Sequence, residues 1–389
     1  MAARDLAIVS YAHTKFARRS GRSPFAIAGE LLEQILNRTG LDKRDIDGLA
    51  ITPALAEASN PFWSNFMVDY LGLTVGWLQT TDLGGATALA NVARAAAAIR
   101  AGLCETVLSL GADAAMVETH SSYGGYRSEW EQVQGLPGPP GEFGMLMRRY
   151  MHVHRLDPEA LAKIAVSQRA GAVRNANAYE AFRKPISRED YFASRLIADP
   201  IRLLDCVMPL DGGVALLMMS SEKAQRLGFR KAAHPTGYAE ITNIRADDPL
   251  ADILETGHAI VGPKALAAAG LRPADIRVLH PYDDFTFAVL MQLEQMGFCE
   301  RGGGSRFVLD TDILFSGDLP INPGGGQLST GQPGLAGGFV NLVEAVIQIL
   351  GEAGERQVRD NRNALVAGIG MVPLLRNWGT SNALVLEAS

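Results

Sequence analysis

The chain has 389 residues, 47% of them hydrophobic and 20% charged, and carries a net charge of −6. That length suffices for one large core or two ordinary domains, and the composition is that of a soluble globular protein. The acidic balance argues against a nucleic-acid binder, and an anionic ligand would need a local basic patch.

The N-terminal run MAARDLAIVSYAHTKF lacks the long apolar stretch of a signal peptide. No apolar run reaches the ~18 residues of a membrane span, so a cytoplasmic location is expected. AIAGELLEQILNRTG reads as a helix ended by Gly40, which is free to turn left-handed. GLDKRDIDGLAI then starts a strand at its Asp-Ile step, with Ile46 facing the core. The pattern G-L-x-x-x-D-I-x-x-L returns 230 positions later, from Gly270, in GLRPADIRVLHP. There it follows the helix-like HAIVGPKALAAAG and points Ile276 inward. Two copies of one βα-rich unit are expected, over 1–225 and 232–389.

In the first half, TTDLGGATALANVARAAAAIRAG is a turn followed by an alanine-rich helix, Ala86 to Ala101, which Gly102 stops. Alanine favours helix and adds little bulk, so this helix suits the middle of a structure. CETVLSLGADA reads as a buried strand. Residues about 115–200 form an insertion. Within it SSYGGYRSEWEQVQGLPGPPGEFG reads as a loop or lid. DPEALAKIAVSQRAGAVRN reads as an amphipathic helix capped by Asp157, and SREDYFASR as a short helix capped by Ser187. DCVMPLDGGVALLMMSS runs through a glycine turn into a buried strand and closes the half near Ser221.

In the second half, HPYDDFTFAVLMQLEQMGF takes a strand ending at His280 through Tyr282, Asp283 and Asp284 into an amphipathic helix. LPINPGGGQLSTGQPGLAGGFVNLVEAVIQILG is a glycine-rich loop entering a helix near Gly338. ALVAGIGMV and NALVLEA read as two closing strands. Alternating β and α units with buried strands predict α/β architecture.

Three places carry candidate chemistry. Asp82, before Gly84 and Gly85, gains from a helix dipole as nucleophile or base; the plain alternative is a helix cap. His280 and Tyr282 lie two apart, on one side of an extended chain, and a tyrosine beside a histidine or Asp283 suits acid–base work. The plain alternative is capping by Asp284 and packing by Tyr282. In the third, Gly324, Gly325 and Gly326 let backbone amides approach a ligand, with Ser329, Thr330 and Gln332 adding hydrogen bonds, although no G-K-[ST] makes it a phosphate loop. The three cysteines, Cys104, Cys206 and Cys299, form no CxxC pair, which argues against a zinc site or disulfides. Only Cys206 lies in a glycine-rich turn region, and no G-x-S-x-G supports a serine hydrolase. His152 and His154 are spaced wrongly for one helical face, so no metal is expected.

Together the turn before the alanine-rich helix, DPEALAKIAVSQRAGAVRNANA, IADPIRLLDCVMPLDGGVAL, HPYDDFTFAVLMQLEQMGF, LPINPGGGQLSTGQPGLAGG and GIGM resemble the thiolase superfamily, in its sterol-carrier/lipid-transfer branch. The resemblance spans the whole chain. It implies a five-layer αβαβα fold, a homodimer, and an acyl-CoA substrate with no tightly bound cofactor. It also marks departures: Asp82, Gln332, Gly368 and Tyr282 stand where thiolases carry the nucleophilic cysteine, the G-H-P histidine, the C-x-G cysteine and an Asn or His. Acyl-enzyme chemistry is then unexpected. The branch includes retro-aldolases that shorten steroid side chains with tyrosines in these loops, beside a separate OB-fold/zinc-ribbon protein. The resemblance thus implies retro-aldol or related C–C cleavage of a β-hydroxyacyl-CoA. Tyr282 would be the base, helped by His280 or Asp283, and the loop around Gly324–Gly326 or the turn Gly368–Gly370 would hold the oxyanion, with Gln332 as a further donor. The alternatives are a thiolase or acyltransferase with another nucleophile, and a non-catalytic acyl-CoA-binding subunit. Arg18, Arg19, Arg22, Arg148 and Arg149 are candidates for the CoA phosphates.

Overall fold

A computed structural model describes residues 4–115, 133–136, 138–248, 252–371 and 378–389. The strands are β1 (Leu6–His13), β2 (Gly48–Ile51), β3 (Trp77–Thr80), β4 (Thr106–Ala114), the short pair β5 (Leu196–Ala198) and β6 (Ile201–Arg202), β7 (Asp211–Ser220), β8 (Ala233–Thr242), β9 (Val278–His280), β10 (Asn363–Ile369) and β11 (Thr380–Ala388). Nine of them form one sheet in the order β3-β2-β4-β7-β1-β8-β11-β10-β9.

That order is nearly a mirror. β2 runs parallel to β4 as β9 runs parallel to β10, and β4 pairs antiparallel with β7 as β10 does with β11. The partner that β2 finds in β3 is reduced, beside β9, to one parallel bridge between Leu279 and Ile321. Among the described residues, only Ile8 and Ala233 pair across the centre.

Strand periodicity divides the apolar side chains among three cores. Leu49, Leu108, Leu110 and Leu217 face the outer helix Pro24–Thr39. Leu279, Leu365, Ala383 and Val385 face the outer helix His258–Ala269. The alternate residues Val107, Val214, Leu216, Val278, Val366 and Leu384 close on a middle layer made by helices Thr87–Arg100 and Gly337–Leu350. All fourteen residues of Gly337–Leu350 are buried, as an apolar helix between two sheet faces requires. The result is five layers, helix, sheet, helix, sheet, helix.

Local signals place most elements. Gly40 and Gly270 both end their helices at φ 71°. Asp157 and Ser187 cap their helices as expected, Ser187 in a reciprocal box with Asp190. Ile46 and Ile276 are buried. The strands, however, start later than the Asp-Ile steps. Asp45 and Asp275 first close 3₁₀ turns by accepting the Asp42 and Arg272 amides at 2.8 and 2.9 Å.

Two expectations change. The 121–144 loop lies largely outside the described residues, but from Pro139 the chain is already helical (Pro139–Val153), its prolines in a first turn that needs no N–H donor. Helix Thr286–Gln295 is not amphipathic, because all ten of its residues are buried among the insertion helices and the sheet. No helix among the described residues is long and apolar enough to cross a membrane.

Candidate active site

Tyr282 leaves the end of β9 and turns its side chain into the middle of the fold, where it is 5% exposed. Its backbone is gripped by Gln292: the Tyr282 amide donates to Oε1 at 2.9 Å, and Nε2 donates to the Tyr282 carbonyl at 2.7 Å. The phenol lies against the turn before helix Thr87–Arg100. A Cβ at Gly85 would fall 2.3 Å from the Tyr282 hydroxyl oxygen, and one at Gly338 only 2.0 Å from the Gly85 carbonyl oxygen. Glycine at these two positions lets three chain segments meet. Asn382, on β11, holds the turn from beneath by donating to the Ala86 carbonyl at 2.8 Å.

Gln332 is the one predicted partner brought to this hydroxyl, its Nε2 donating to Tyr282 at 3.4 Å. Its backbone is fixed on both sides: its amide donates to the Met208 carbonyl at 3.0 Å and its carbonyl accepts from Leu210 at 2.9 Å. Burial, and then the Asp284 charge, push the Tyr282 phenol well above its ordinary pKa, while Gln332 and Gln327 act in the opposite sense. The tyrosine is therefore neutral near pH 7 and holds a proton it can donate.

Asp283 is fully buried and its oxygens are committed. It accepts the Gln327 and Leu328 amides at 3.0 and 3.2 Å and the Asn341 side chain at 2.8 Å. It thereby fastens the start of the short helix Gly326–Thr330. Burial raises its pKa to about 7 against the effect of those donors. Its place is that of an anchor for the glycine loop, not of a free acid or base.

His280 lines a small cavity with His13, Asn322, Asn341 and Glu344, a cavity that Tyr282 does not border. Burial lowers the pKa of His280 to about 3, so it stays neutral. The expected pairing of His280 with Tyr282 is absent because the strand ends between them.

Asp82 is exposed and does not cap the turn; Leu83 stands at the N-cap, and its amide donates to Thr87 Oγ1 at 2.9 Å. At this turn it is Gly85 that lies against the Tyr282 ring and hydroxyl. Nor do all the glycine amides stay free: Gly325 donates to Asn322 and Gly370 to Thr380, at 2.9 and 2.8 Å. Gly324 uses its carbonyl to accept Asn175 at 3.0 Å, and Gly326 presses on Asp283. Gly368 sits in β10 against Asn382 and Ala86. Ser329 is buried and accepts Arg169 Nε at 3.2 Å. Of the arginine candidates, Arg22 pairs with Glu30 at 2.6 Å and Arg148 with Asp199.

No cysteine is poised for attack. Burial, the leading cause in each case, pushes Cys104 to about 11 and Cys206 and Cys299 to about 12. The Cys206 thiol donates to the Arg202 carbonyl at 3.3 Å. Thiolate chemistry at neutral pH is disfavoured accordingly.

Sequence reasoning missed two carboxylates that hold the site. Asp113, at the end of β4, accepts the Leu55, Ala56 and Leu335 amides at 2.8, 3.2 and 3.3 Å, tying the turn after Gln332 to the first half. Asp205 accepts Tyr191 at 2.7 Å and also Thr286, joining the insertion to helix Thr286–Gln295. Each is an acid at the polar end of an apolar segment, which signals position but names no partner.

Residues 239–376 match the model of the thiolase C-terminal domain-like family. The 17-hydroxy-3-oxo-4-pregnene-20-carboxyl-CoA lyase of Mycobacterium tuberculosis is 33% identical, over 90% of this chain and 96% of that one. The steroid side-chain-cleaving aldolase of Thermomonospora curvata is 32% identical, over 94% of this chain and 95% of that one. Among solved structures, the Ltp2-ChsH2(DUF35) aldolase superposes with a TM-score of 0.86 at 29% identity, covering 100% of this chain and 99% of that one. The expectation of a thiolase-fold carbon–carbon lyase agrees with the activities these proteins are named for. The chain belongs to the thiolase superfamily, in the sterol-carrier branch that holds the steroid side-chain-cleaving aldolases.

Proposed function

We propose that this chain cleaves a β-hydroxyacyl-CoA by a retro-aldol reaction, with a substrate of the steroid side-chain kind named for its relatives. The observation that carries the reading is the Tyr282 hydroxyl, packed on Gly85 beside Gln332 where the fold turns into its central helix. In the reaction a base takes the β-hydroxyl proton. The Cα–Cβ bond breaks as the new carbonyl forms, and its electron pair enters the thioester as an enolate. Protonation at Cα releases a shorter acyl-CoA beside the ketone.

Tyr282, neutral at rest, is the donor to that enolate, and Gln332 holds its hydroxyl in line. The base is Asp284. One of its oxygens, Oδ1, is buried without a partner among the described residues, and burial with the Asp283 charge raises its proton affinity, so that its ionised form, whose charge acts on Tyr282, binds the hydroxyl proton strongly. The hydroxyl proton passes to Asp284 and returns through it to Tyr282, so no group is left changed. Coenzyme A enters only as part of the substrate. The reading extends to a cytoplasmic homodimer and to a separate partner subunit; the two-part name of the solved aldolase supports the partner subunit alone.

The test is incubation with a tertiary β-hydroxyacyl-CoA, with and without an OB-fold/zinc-ribbon partner, followed by mass spectrometry. Equal amounts of ketone and shortened acyl-CoA are expected, with the intact protein mass unchanged. An acyl adduct on the protein would favour a transferase. Tight binding with no product, partner present, would reduce the chain to a non-catalytic acyl-CoA-binding subunit.

A further inference from the structure

Behind the glycine loop lies a cavity of about 10 Å³, bordered by His13, Asn175, His280, Asn322, Thr330, Asn341 and Glu344 among others. A space of that order holds one water molecule and no larger guest. His280, Asn322 and Asn341 are each no more than 1% exposed. Both ring nitrogens of His280 and the Oδ1 atoms of Asn322 and Asn341 have no hydrogen-bond partner among the described residues. Buried polar atoms are almost always paired, and four unpaired ones around one small cavity is a grouping that needs a cause.

The amide ends of the same two asparagines are already engaged. Asn322 and Asn341 both donate to the Pro281 carbonyl, at 3.1 and 2.9 Å. Their orientation is therefore fixed, and each turns an acceptor oxygen away from that bond. His13 donates through Nδ1 to the Thr14 carbonyl at 2.6 Å, which leaves Nε2 as an acceptor. The Glu344 carboxylate is held by Arg356 in a two-pronged ion pair at 2.9 and 3.0 Å.

We propose that this cavity is a built site for one internal water, and that the water is a structural ligand of the loop bearing Tyr282. It donates to Asn322 Oδ1 and Asn341 Oδ1 and accepts from one His280 N–H, which satisfies three of the four orphaned atoms. A monovalent cation fits less well: two amide oxygens and neutral imidazoles fall short of the oxygen shell such an ion takes, and the space is too small. The water locks the two asparagines that hold the Pro281 carbonyl, one bond before Tyr282. Asn341 also donates to Asp283, so the same node steadies the glycine loop. His280 is thus a positioning residue, acting through the water.

The inference rests on the retro-aldolase reading only for its kinetic consequence, so the test has two separate arms. In a crystal structure of the full chain that resolves ordered solvent, a density peak is expected within hydrogen-bonding distance of His280, Asn322 and Asn341. A dry cavity overturns the proposal whatever the enzyme does. In the second arm, His280→Leu removes the donor and His280→Gln keeps one. His280→Leu is expected to lose the peak, lower Tm, and cut kcat roughly tenfold with KM unchanged. His280→Gln is expected to retain the peak and most of both properties. Equal damage by the two variants, or none by either, overturns the role of the water, and the Tm reading stands even if the chain turns over no substrate.

Discussion

Two turns lead into the two central helices, and they make a controlled comparison. Gly84–Ala86 precedes Thr87–Arg100, and Gly334–Ala336 precedes Gly337–Leu350. Both are three-residue 3₁₀ turns, both open on a glycine at positive φ (53° and 50°), and both feed a helix of 14 residues. Asp82 and Gln332 stand at the same place, two residues before that glycine. Yet Asp82 is exposed, whereas Gln332 reaches the Tyr282 hydroxyl. The difference comes from what crosses each turn. The strand-like segment 208–210 clamps Gln332 by its backbone, and Asp113 fixes the following Leu335 amide. A duplicated scaffold thus places its polar chemistry on one turn and uses the other, bare of side chains at Gly85, as a wall.

The strongest way to break this comparison is Tyr282→Phe. If the chemistry sits on the second turn's side, cleavage in the ketone-release assay should fall about 10²–10⁴-fold while acyl-CoA binding survives. Unchanged turnover would remove Tyr282 from the reaction.

The wall itself is tested by Gly85→Ala. Its new Cβ would meet the Tyr282 ring and hydroxyl at 2.3 Å, so a destabilisation of about 1–3 kcal/mol by urea unfolding is expected, with loss of activity. The matching test on the other turn is Gln332→Ala. Losing one hydrogen bond to the phenol should lower kcat about tenfold, with little change in unfolding.

The pH dependence of stability separates the buried groups. His13, His258 and His280 have folded pKa values lowered by burial to about 4, 3 and 3. Below an unfolded value of about 6.5 the unfolded chain binds more protons at these sites, so they make stability rise as pH climbs from about 3 toward 6.5. Asp283 works the other way. Its folded value of about 7 exceeds an unfolded value of about 3.9, so its ionisation costs stability as pH rises between them. Asp283→Asn should remove that opposing slope, measured as Tm against pH, even though the substitution also weakens the anchor of the glycine loop. The smallest effects belong to the residues outside the convergence. Asp82→Asn, an exposed change, should leave kcat within about twofold, since surface changes away from a site usually stay within ~0.5 kcal/mol. Cys206→Ser should also leave kcat within about twofold, because a serine hydroxyl can keep the bond to the Arg202 carbonyl. A large loss from either would return a nucleophile to the picture.

Much of the scaffold was legible in the chain. The paired G-L-x-x-x-D-I runs, the capping residues Asp157 and Ser187, and the helix-ending glycines are local signals, and they mark local structure. The Asp-Ile steps mark the strand starts two residues early, because Asp45 and Asp275 serve the turn before the strand. Helix Thr286–Gln295 was read as amphipathic because its Gln and Glu residues look solvent-facing; in fact Gln292 turns inward to grip Tyr282.

The site was legible in its residue types and much less so in their roles. Tyr282 and Gln332 are 50 residues apart, and nothing in either segment states that they meet. Asp283 reads as reactive in sequence and proves to be a clamp, because two backbone amides of a distant loop converge on it. By itself the sequence determined the repeated βα units, the glycines that permit tight turns, and the lack of a cysteine in the turns that lead into the central helices. Only the tertiary structure decided which of those turns is chemical, since proton affinity depends on burial and on neighbours brought from far along the chain. The physical reason is that a dihedral preference is carried by one residue, whereas a pKa belongs to an environment.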